Sequence, residues 1–317
     1  MRRMQGYLRR AIAPIHPYIH DLLVYMRILR VEGVDNRILR RLAQPQPVED
    51  LVGLLVEHSA PLHLEAVDTV VVSDVHIGSK HSLAGALNTA LSRFSFKRLV
   101  LNGDIFDHLD FTEEDIAWAL NPQAPLQGKF DPTHAELLRT LHTLSHTHEV
   151  VWIRGNHDDT LSEHMAHTLP TVHHEYRWEF NGKQYLAIHG DQFDRLSQER
   201  PKLYAFGTKF FYFLQSLGPW TRSFCTLLKR KTKLYTKALN LVTDGALSHG
   251  AAQSADYVLC GHTHHVRHDH KNGVHYYNSG SWTETFGHLI TISTVGIHVH
   301  TFSTEGEHIG TLSSAHA

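Results

Sequence analysis

Cysteine is nearly absent: Cys225 and Cys260 are the only two in 317 residues. Two thiols make no disulfide framework, and their spacing fits no CxxC metal motif. A buried core must therefore hold the fold, and a reducing compartment, the cytoplasm, is expected. Long apolar runs are missing as well. No window approaches the roughly 18 apolar residues of a membrane-spanning helix. The basic start has no unbroken apolar stretch followed by a small-residue cleavage pattern, so no export signal is expected and membrane contact would be peripheral, on the inner face. The chain also lacks an excess of charge. Thirty Lys and Arg against 32 Asp and Glu leave −2, which excludes a globally basic nucleic-acid binder and leaves local patches open.

What is present is enough for one large core, since 42% of the residues are hydrophobic. Histidine is over-represented, with 29 copies. Most of these must be core or surface residues, so only position can single out a functional one.

Residues 1–66 read as a mostly helical extension, with Ile28, Val31, Ile38, Leu39 and Leu42 set among arginines and broken later by Pro45, Pro47 and Pro61. Its first 42 residues hold nine arginines against Asp21, Glu32 and Asp35. That balance suits a solvated helix pair or a surface for anionic lipid. From residue 67 to 302 the texture changes to short β-rich runs ending in polar loops: VDTVVVSD, KRLVLNGD, EVVWIRGN, KQYLAIHG and DYVLCGHT. Each reads as a buried strand feeding a loop at its carboxyl end. LAGALNTALSRF and THAELLRTLHTLS between the first three predict crossover helices. Later stretches alternate like antiparallel strands, so a mixed α/β sandwich of two sheets flanked by helices is expected. Residues 200–240 interrupt this scheme with nine basic side chains, no acidic ones and nine aromatics. They predict a helical cap over about 196–250, and residues 303–317 are read as a C-terminal tail.

The polar loops carry the chemistry. Asp74-Val75-His76 places a carboxylate and an imidazole two residues apart, on one side of an extended backbone. Gly103-Asp104-Ile105-Phe106-Asp107 sets a carboxylate at a strand end beside a glycine that permits close approach; two oxygens suit it to bridge two cations. Gly155-Asn156-His157-Asp158 joins a hard amide oxygen to an imidazole able to transfer a proton near neutral pH. His189-Gly190-Asp191 and Gly261-His262-Thr263-His264 add further imidazoles. Single motifs of this kind arise by chance in a chain so rich in histidine. Five at strand ends, where such folds build their sites, do not. Mixed imidazole and carboxylate donors suit Mn first, with Fe, Zn or Ni as alternatives, and do not suit Ca.

The series DVH, GDIFD, GNHD, HGD and GHTH resembles the calcineurin-like metallophosphoesterases over about residues 67–302. That resemblance implies a four-layer α/β/β/α sandwich and two divalent metal ions. One ion would be held by Asp74, His76, Asp104 and His264, the other by Asp104, Asn156, His189 and His262. Asp104 would then bridge, and catalytic His157 would face the leaving oxygen. Asp107 and Asp191 would support ligand imidazoles, and Asp158 would orient His157 or a neighbouring loop. YLAIHGDQFD, the basic and aromatic insertion, and YYNSGSWTE are similar to the UDP-2,3-diacylglucosamine pyrophosphatase-like subgroup, implying a lipid-linked nucleotide as the phosphoester substrate. That subgroup usually carries Arg where this chain has His157, so the GNHD form is a divergent one. The alternatives are a nuclease or nucleotide phosphodiesterase on the same metals, with nucleic acid the weaker partner, and a non-catalytic metal-binding scaffold.

Overall fold

The apolar runs that precede the polar loops become strands covered on both faces. The computed structural model describes residues 66–107, 113–121, 131–158, 172–194 and 233–315. In the larger sheet, β1 (Thr69–Val72), β2 (Arg98–Asn102), β3 (Glu149–Ile153) and β4 (Val172–His173) lie parallel and adjacent. On the other side of β1, β10 (Gly287–Ser293), β11 (Gly296–Phe302) and β12 (His308–Ala315) continue antiparallel, making seven strands. The second sheet has five strands in the order β5 (Glu175–Phe180), β6 (Lys183–Ile188), β7 (Tyr257–Cys260), β9 (Val274–Asn278), β8 (Arg267–Lys271). Helices α1 (Ala84–Leu91), α2 (Glu113–Leu120) and α3 (Pro132–Thr147) cross between the parallel strands, and α4 (Lys233–Ala252) precedes β7. The start of α3 is local chemistry: the Asp131 carboxylate accepts from the Thr133 N–H at 2.9 Å, and Pro132 stands where no helical N–H is needed.

Side-chain alternation sorts the core into three layers of contact. Val70, Val72, Leu99, Leu101 and Trp152 pack with Leu87, Leu137 and Leu138 of the helices. Their neighbours Val71, Val100, Val151 and Ile153 point the other way, against Tyr185, Ala187, Tyr257 and Leu259 of the second sheet. That sheet's far face, Leu186, Ile188, Val258 and Tyr276, meets Ala246 and Leu247 of α4. The order is helix, sheet, sheet, helix, as the motif resemblance implies. Each fully buried Val, Leu or Ile contributes roughly 1.5–3 kcal/mol, so the continuous apolar strands are explained by two buried faces rather than one.

Two boundaries differ from the sequence reading. Residues 308–315 are not a tail: β12 pairs with β11 from Gly296↔Ala315 to Phe302↔His308, with an irregularity at Thr301/Phe302. The polar residues of HIGTLSSA hide a strand that gains its place from main-chain pairing. Helix α4 is no cap either, because its buried Val242, Ala246 and Leu247 make it the outer layer on the second sheet. The rest of the expected cap, residues 196–232, lies outside the described residues. So does the expected helical extension apart from Ala66, which bridges Ser95.

His300 on β11 yields a stability prediction away from the loops. Its Nε2 lies 2.8 Å from Thr291 Oγ1 and its Nδ1 3.1 Å from Thr311 Oγ1. Burial, reinforced by His308 and His298, pushes its pKa down to about 3. A histidine in the unfolded chain titrates near 6.5. Between these values the unfolded chain takes up a proton that the fold refuses, so stability falls as pH drops below about 6.5, by up to ~1.4 kcal/mol per pH unit. His300→Gln removes this share. Urea denaturation at pH 7 and pH 5 is expected to show the variant losing about 2 kcal/mol less than wild type over that interval. Parallel pH profiles would sink the assignment.

Candidate metal centre

Each of the five polar loops leaves the carboxyl end of a strand: β1, β2 and β3 in one sheet, β6 and β7 in the other. Main-chain bonds stitch them together, with Asp74 N donating to Gly103 O at 3.0 Å, His76 N to Asp104 O at 3.0 Å, and Gly261 N to His189 O at 3.0 Å. The sheets are pinned to one another just beneath by Asn102, whose Nδ2 donates to Leu259 O at 3.1 Å.

The local backbone is strained at these loops. Asp74, His76, Asp104, His262 and His264 all have φ between 51° and 65°, in the left-handed region. Such a residue costs on the order of 1–3 kcal/mol unless its surroundings fix it. The other three non-glycine residues of this kind among those described, Asn181, Ser254 and Asn272, lie in ordinary turns. Glycine also makes room. A Cβ on Gly155 would overlap the Asp104 carboxylate, and one on Gly103 the His189 ring. The two residues are small because ligand-type side chains lie against their backbones.

Asp104 is the centre of the arrangement. Its Oδ1 accepts from the His157 N–H at 2.8 Å. Its Oδ2 stands 3.3 Å from His189 Nε2 and 3.8 Å from His76 Nε2. Asp74 meets His264 Nε2 at 3.2 Å and accepts from the His262 N–H at 3.1 Å. The far ring nitrogens turn outward. His189 Nδ1 is 2.9 Å from Asn102 O, His264 Nδ1 is 3.3 Å from Thr283 Oγ1, and His76 Nδ1 is 3.5 Å from Asp107. Such outer partners select the tautomer that leaves the inner nitrogen's lone pair free. Burial alone would raise the Asp104 carboxyl, yet the facing His189, His76 and His157 hold it well below the ordinary range. Burial would lower His189, and Asp104 raises it well above its usual value instead.

All seven residues read from sequence as ligands converge here. Asp74, His76 and His264 form one cluster, and Asp104, His189 and His262 another, with donor atoms in each within 4.8 Å. Asn156 Oδ1 lies 3.0 Å from His262 Nδ1, beside the second cluster. His157 packs edge-on against His76, ring centroids 4.7 Å apart, and its Nδ1 is 3.0 Å from Asp107 Oδ1. Asp107 thus serves both imidazoles. Of the two roles expected for Asp158, orienting His157 or a neighbouring loop, the structure shows the loop. Asp158 is buried and accepts from the N–H groups of Gly155 at 3.0 Å, Phe106 at 3.0 Å and Ile105 at 3.4 Å, tying the loops after β2 and β3 together. Burial, then the neighbouring Asp104, pushes its pKa up to about 6. Asp191 stands in the short turn Asp191–Phe193, and its charge adds to that of Asp104 and Asp74 in raising His189. Sequence reasoning missed Asp194, three residues on, whose Oδ2 lies 3.2 Å from His262 Nε2. The spacing in HGDQFD was the available signal, and it does not say which aspartate turns inward.

The residues fit a pair of divalent cations. The Nε2 atoms of His76 and His189 are buried and engage in no hydrogen bond, while both face one buried carboxylate. Unpaired buried polar atoms cost about 1–3 kcal/mol each, a cost that a cation held by these residues would relieve. The donor set of oxygen and imidazole nitrogen is also the borderline-hard one that such ions take.

No curated protein matches this chain. Among solved structures it is similar to vacuolar protein sorting 29 of Cryptosporidium parvum, at 13% identity and TM-score 0.41, covering 80% of this chain and 100% of that one. It is also similar to Yfce, a phosphoesterase from E. coli, at 15% identity and TM-score 0.41, covering 77% and 98%. A third is Vps29 of Entamoeba histolytica complexed with zinc, at 13% identity and TM-score 0.39, covering 78% and 98%. The profile of one family runs through every loop of the site up to Val266, matching residues 68–266, and with it this chain belongs to the calcineurin-like phosphoesterases.

Proposed function

We propose that this protein hydrolyses a phosphoester or pyrophosphate bond with two divalent cations, manganese first among them. One is assigned to Asp74, His76, Asp104 and His264, the other to Asp104, Asn156, His189 and His262. The observation that carries this reading is the single Asp104 Oδ2 facing His189 Nε2 at 3.3 Å and His76 Nε2 at 3.8 Å, which suits one carboxylate shared by two ligand sets. When bound, such ions supply Lewis acidity toward phosphoryl oxygens and acidify a water molecule. The chain's own contribution to the chemistry is His157. Asp107 accepts from its Nδ1–H, which leaves Nε2 to hand a proton to the departing oxygen.

The finer substrate reading, a nucleotide-linked lipid such as UDP-2,3-diacylglucosamine, is supported by the sequence phrases around His189 and Asn278 and by the composition of residues 200–240. Cations there suit phosphates, and rings suit a base or acyl chains. Among the described residues no helix is long and apolar enough to cross a membrane, so the lipid would be met at a surface, with the arginine-rich residues 1–42 as the proposed contact to anionic headgroups.

The test is purified protein with Mn²⁺, offered UDP-2,3-diacylglucosamine and a bis-aryl phosphodiester. UMP release supports the lipid-nucleotide reading, and turnover of the aryl diester alone removes it. Two bound ions with no turnover on a broad phosphoester panel would remove the catalytic reading. Binding to nucleic acid that weakens about 10³-fold or more between 50 and 200 mM salt would favour a nuclease instead.

A further inference from the structure

Five of the twelve residues 264–275 are histidines, and the metal centre accounts for His264 alone. Three of the others, His268, His270 and His275, stand on the hairpin of β8 and β9. A short tract so rich in imidazole is a metal-binding composition, and the fold decides whether the rings can meet.

The turn of the hairpin sets the register. Asn272 and Gly273 join the strands with φ of 53° and 81°, the left-handed pair that a two-residue hairpin loop favours. With Lys271 opposite Val274, His270 falls opposite His275 and His268 opposite Tyr277. Residues two apart share a face, so these four rings lie on one side of the hairpin. Tyrosines seat two of the histidines: His268 stacks on Tyr277 at 4.4 Å and His275 on Tyr257 at 5.2 Å, with interplanar angles of 18° and 26°. This seating brings His268 Nε2 to 3.3 Å from His275 Nδ1. His268 is exposed and His275 half-buried, so dissolved ions have access.

The separation suits a shared ion better than a hydrogen bond. Bonds donated by N–H groups usually span about 2.7–3.2 Å. Two imidazoles on one ion, with bonds of about 2.0–2.1 Å at square or tetrahedral angles, stand roughly 2.9–3.4 Å apart. Burial, reinforced by His270 and His268, pushes the His275 pKa down to about 4, and burial also lowers that of His268. Both rings are therefore neutral at pH 7, the form in which a histidine ligates. The cations around them are each paired: Lys183 with Asp256 at 4.0 Å, Arg267 with Asp269 at 2.8 Å and Lys271 with Asp244 at 3.0 Å.

We infer that His268 and His275 form a surface metal site, apart from the two ligand sets above, that takes one divalent transition cation through His268 Nε2 and His275 Nδ1. Neutral imidazole donors select copper, zinc or nickel, copper most strongly. Water completes the coordination, and His270, lying flat on His275 at 4.1 Å and 22°, supports that ring without entering the site.

Cu²⁺ capped with iminodiacetate is the probe, because the chelator leaves room for two imidazoles but not for the four donors of either set around Asp104. His268→Gln and His275→Gln are each expected to bind one equivalent fewer than wild type, and His270→Gln the same number. An equivalent taken by His142 and His146 of α3, whose rings stand 4.6 Å apart, is common to all four proteins and cancels in the difference. The paramagnetic resonance spectrum of the lost equivalent, wild type minus variant, is expected to show coupling to two imidazole nitrogens. Melting curves in EDTA that match wild type establish that the variants fold, and agreement between changes on two different strands guards against a local distortion. An equal count in wild type and either folded variant, or coupling to a single nitrogen, overturns the inference and leaves the pair as a hydrogen bond.

Discussion

Asp104→Asn is expected to abolish turnover and to reduce bound metal from two ions to one or none. The amide keeps the volume of the carboxylate, so the Asp104 Oδ1 contact to the His157 N–H can survive through the amide oxygen. What disappears is the charge and the second acceptor oxygen that faces both His189 and His76. A neutral amide cannot be shared by two dications as a carboxylate can. Loss of the electrostatic stabilisation that the ions provide is expected to lower kcat by on the order of 10³ or more. Elemental analysis after gel filtration, set beside activity on an aryl phosphodiester, reads both effects. Retention of two ions by the variant would contradict the sharing role, whatever the activity.

His157→Ala separates chemistry from metal binding. This ring packs on His76 and lies 3.0 Å from Asp107, and with those two it forms a third cluster apart from the two around Asp74 and Asp104. The variant is expected to keep both ions and lose about 10²–10⁴ in kcat, the usual contribution of a placed general acid. The loss is expected to depend on the leaving group. A p-nitrophenolate leaves without a proton, whereas an alkoxide needs one, so alkyl esters would suffer most. Equal losses on both ester types would remove the proton-donor role, and loss of an ion would move His157 into the ligand set.

The parts of this site that were legible in the sequence share a physical reason. Strand-end position and ligand type are local properties, so Asp74, Asp104, Asn156, His189, His262 and His264 declared themselves through apolar runs followed by Gly, Asp or His. The parts that were not legible depend on partners far along the chain. Asn102 looks like the end of a strand, and only the sheet-to-sheet stacking brings its Nδ2 to Leu259 O. Asp158 follows His157 and invites pairing with it, yet its oxygens turn to the N–H groups of Ile105, Phe106 and Gly155. Asp191 and Asp194 stand three residues apart in one motif. The turn between them, not their order, decides that Asp194 meets His262.

The layered fold divides in the same way. Continuous apolar strands such as β1 and β7 require cover on both faces, and that much follows from composition and period alone. Strand β12 shows the opposite case: HIGTLSSA has no strong strand pattern, and pairing along β11 makes it a strand. Helix α4 reads as part of an insertion until Val242, Ala246 and Leu247 are found against the second sheet.

The amino-acid sequence by itself determined the donor types, their five strand-end positions and the family to which they belong, because each of these resides in a few neighbouring residues. Only the tertiary structure decided which nitrogen of each histidine turns inward and which carboxylate supports it. Those choices are made by hydrogen-bond partners 19 to 188 residues away, such as Thr283 for His264, Asp107 for His157 and the Asp74 carboxylate for the His262 N–H. Pairing of β2 with β3 brings Asp107 to His157, and only the packing of the two sheets brings Asp74 to His262, at hydrogen-bond distance.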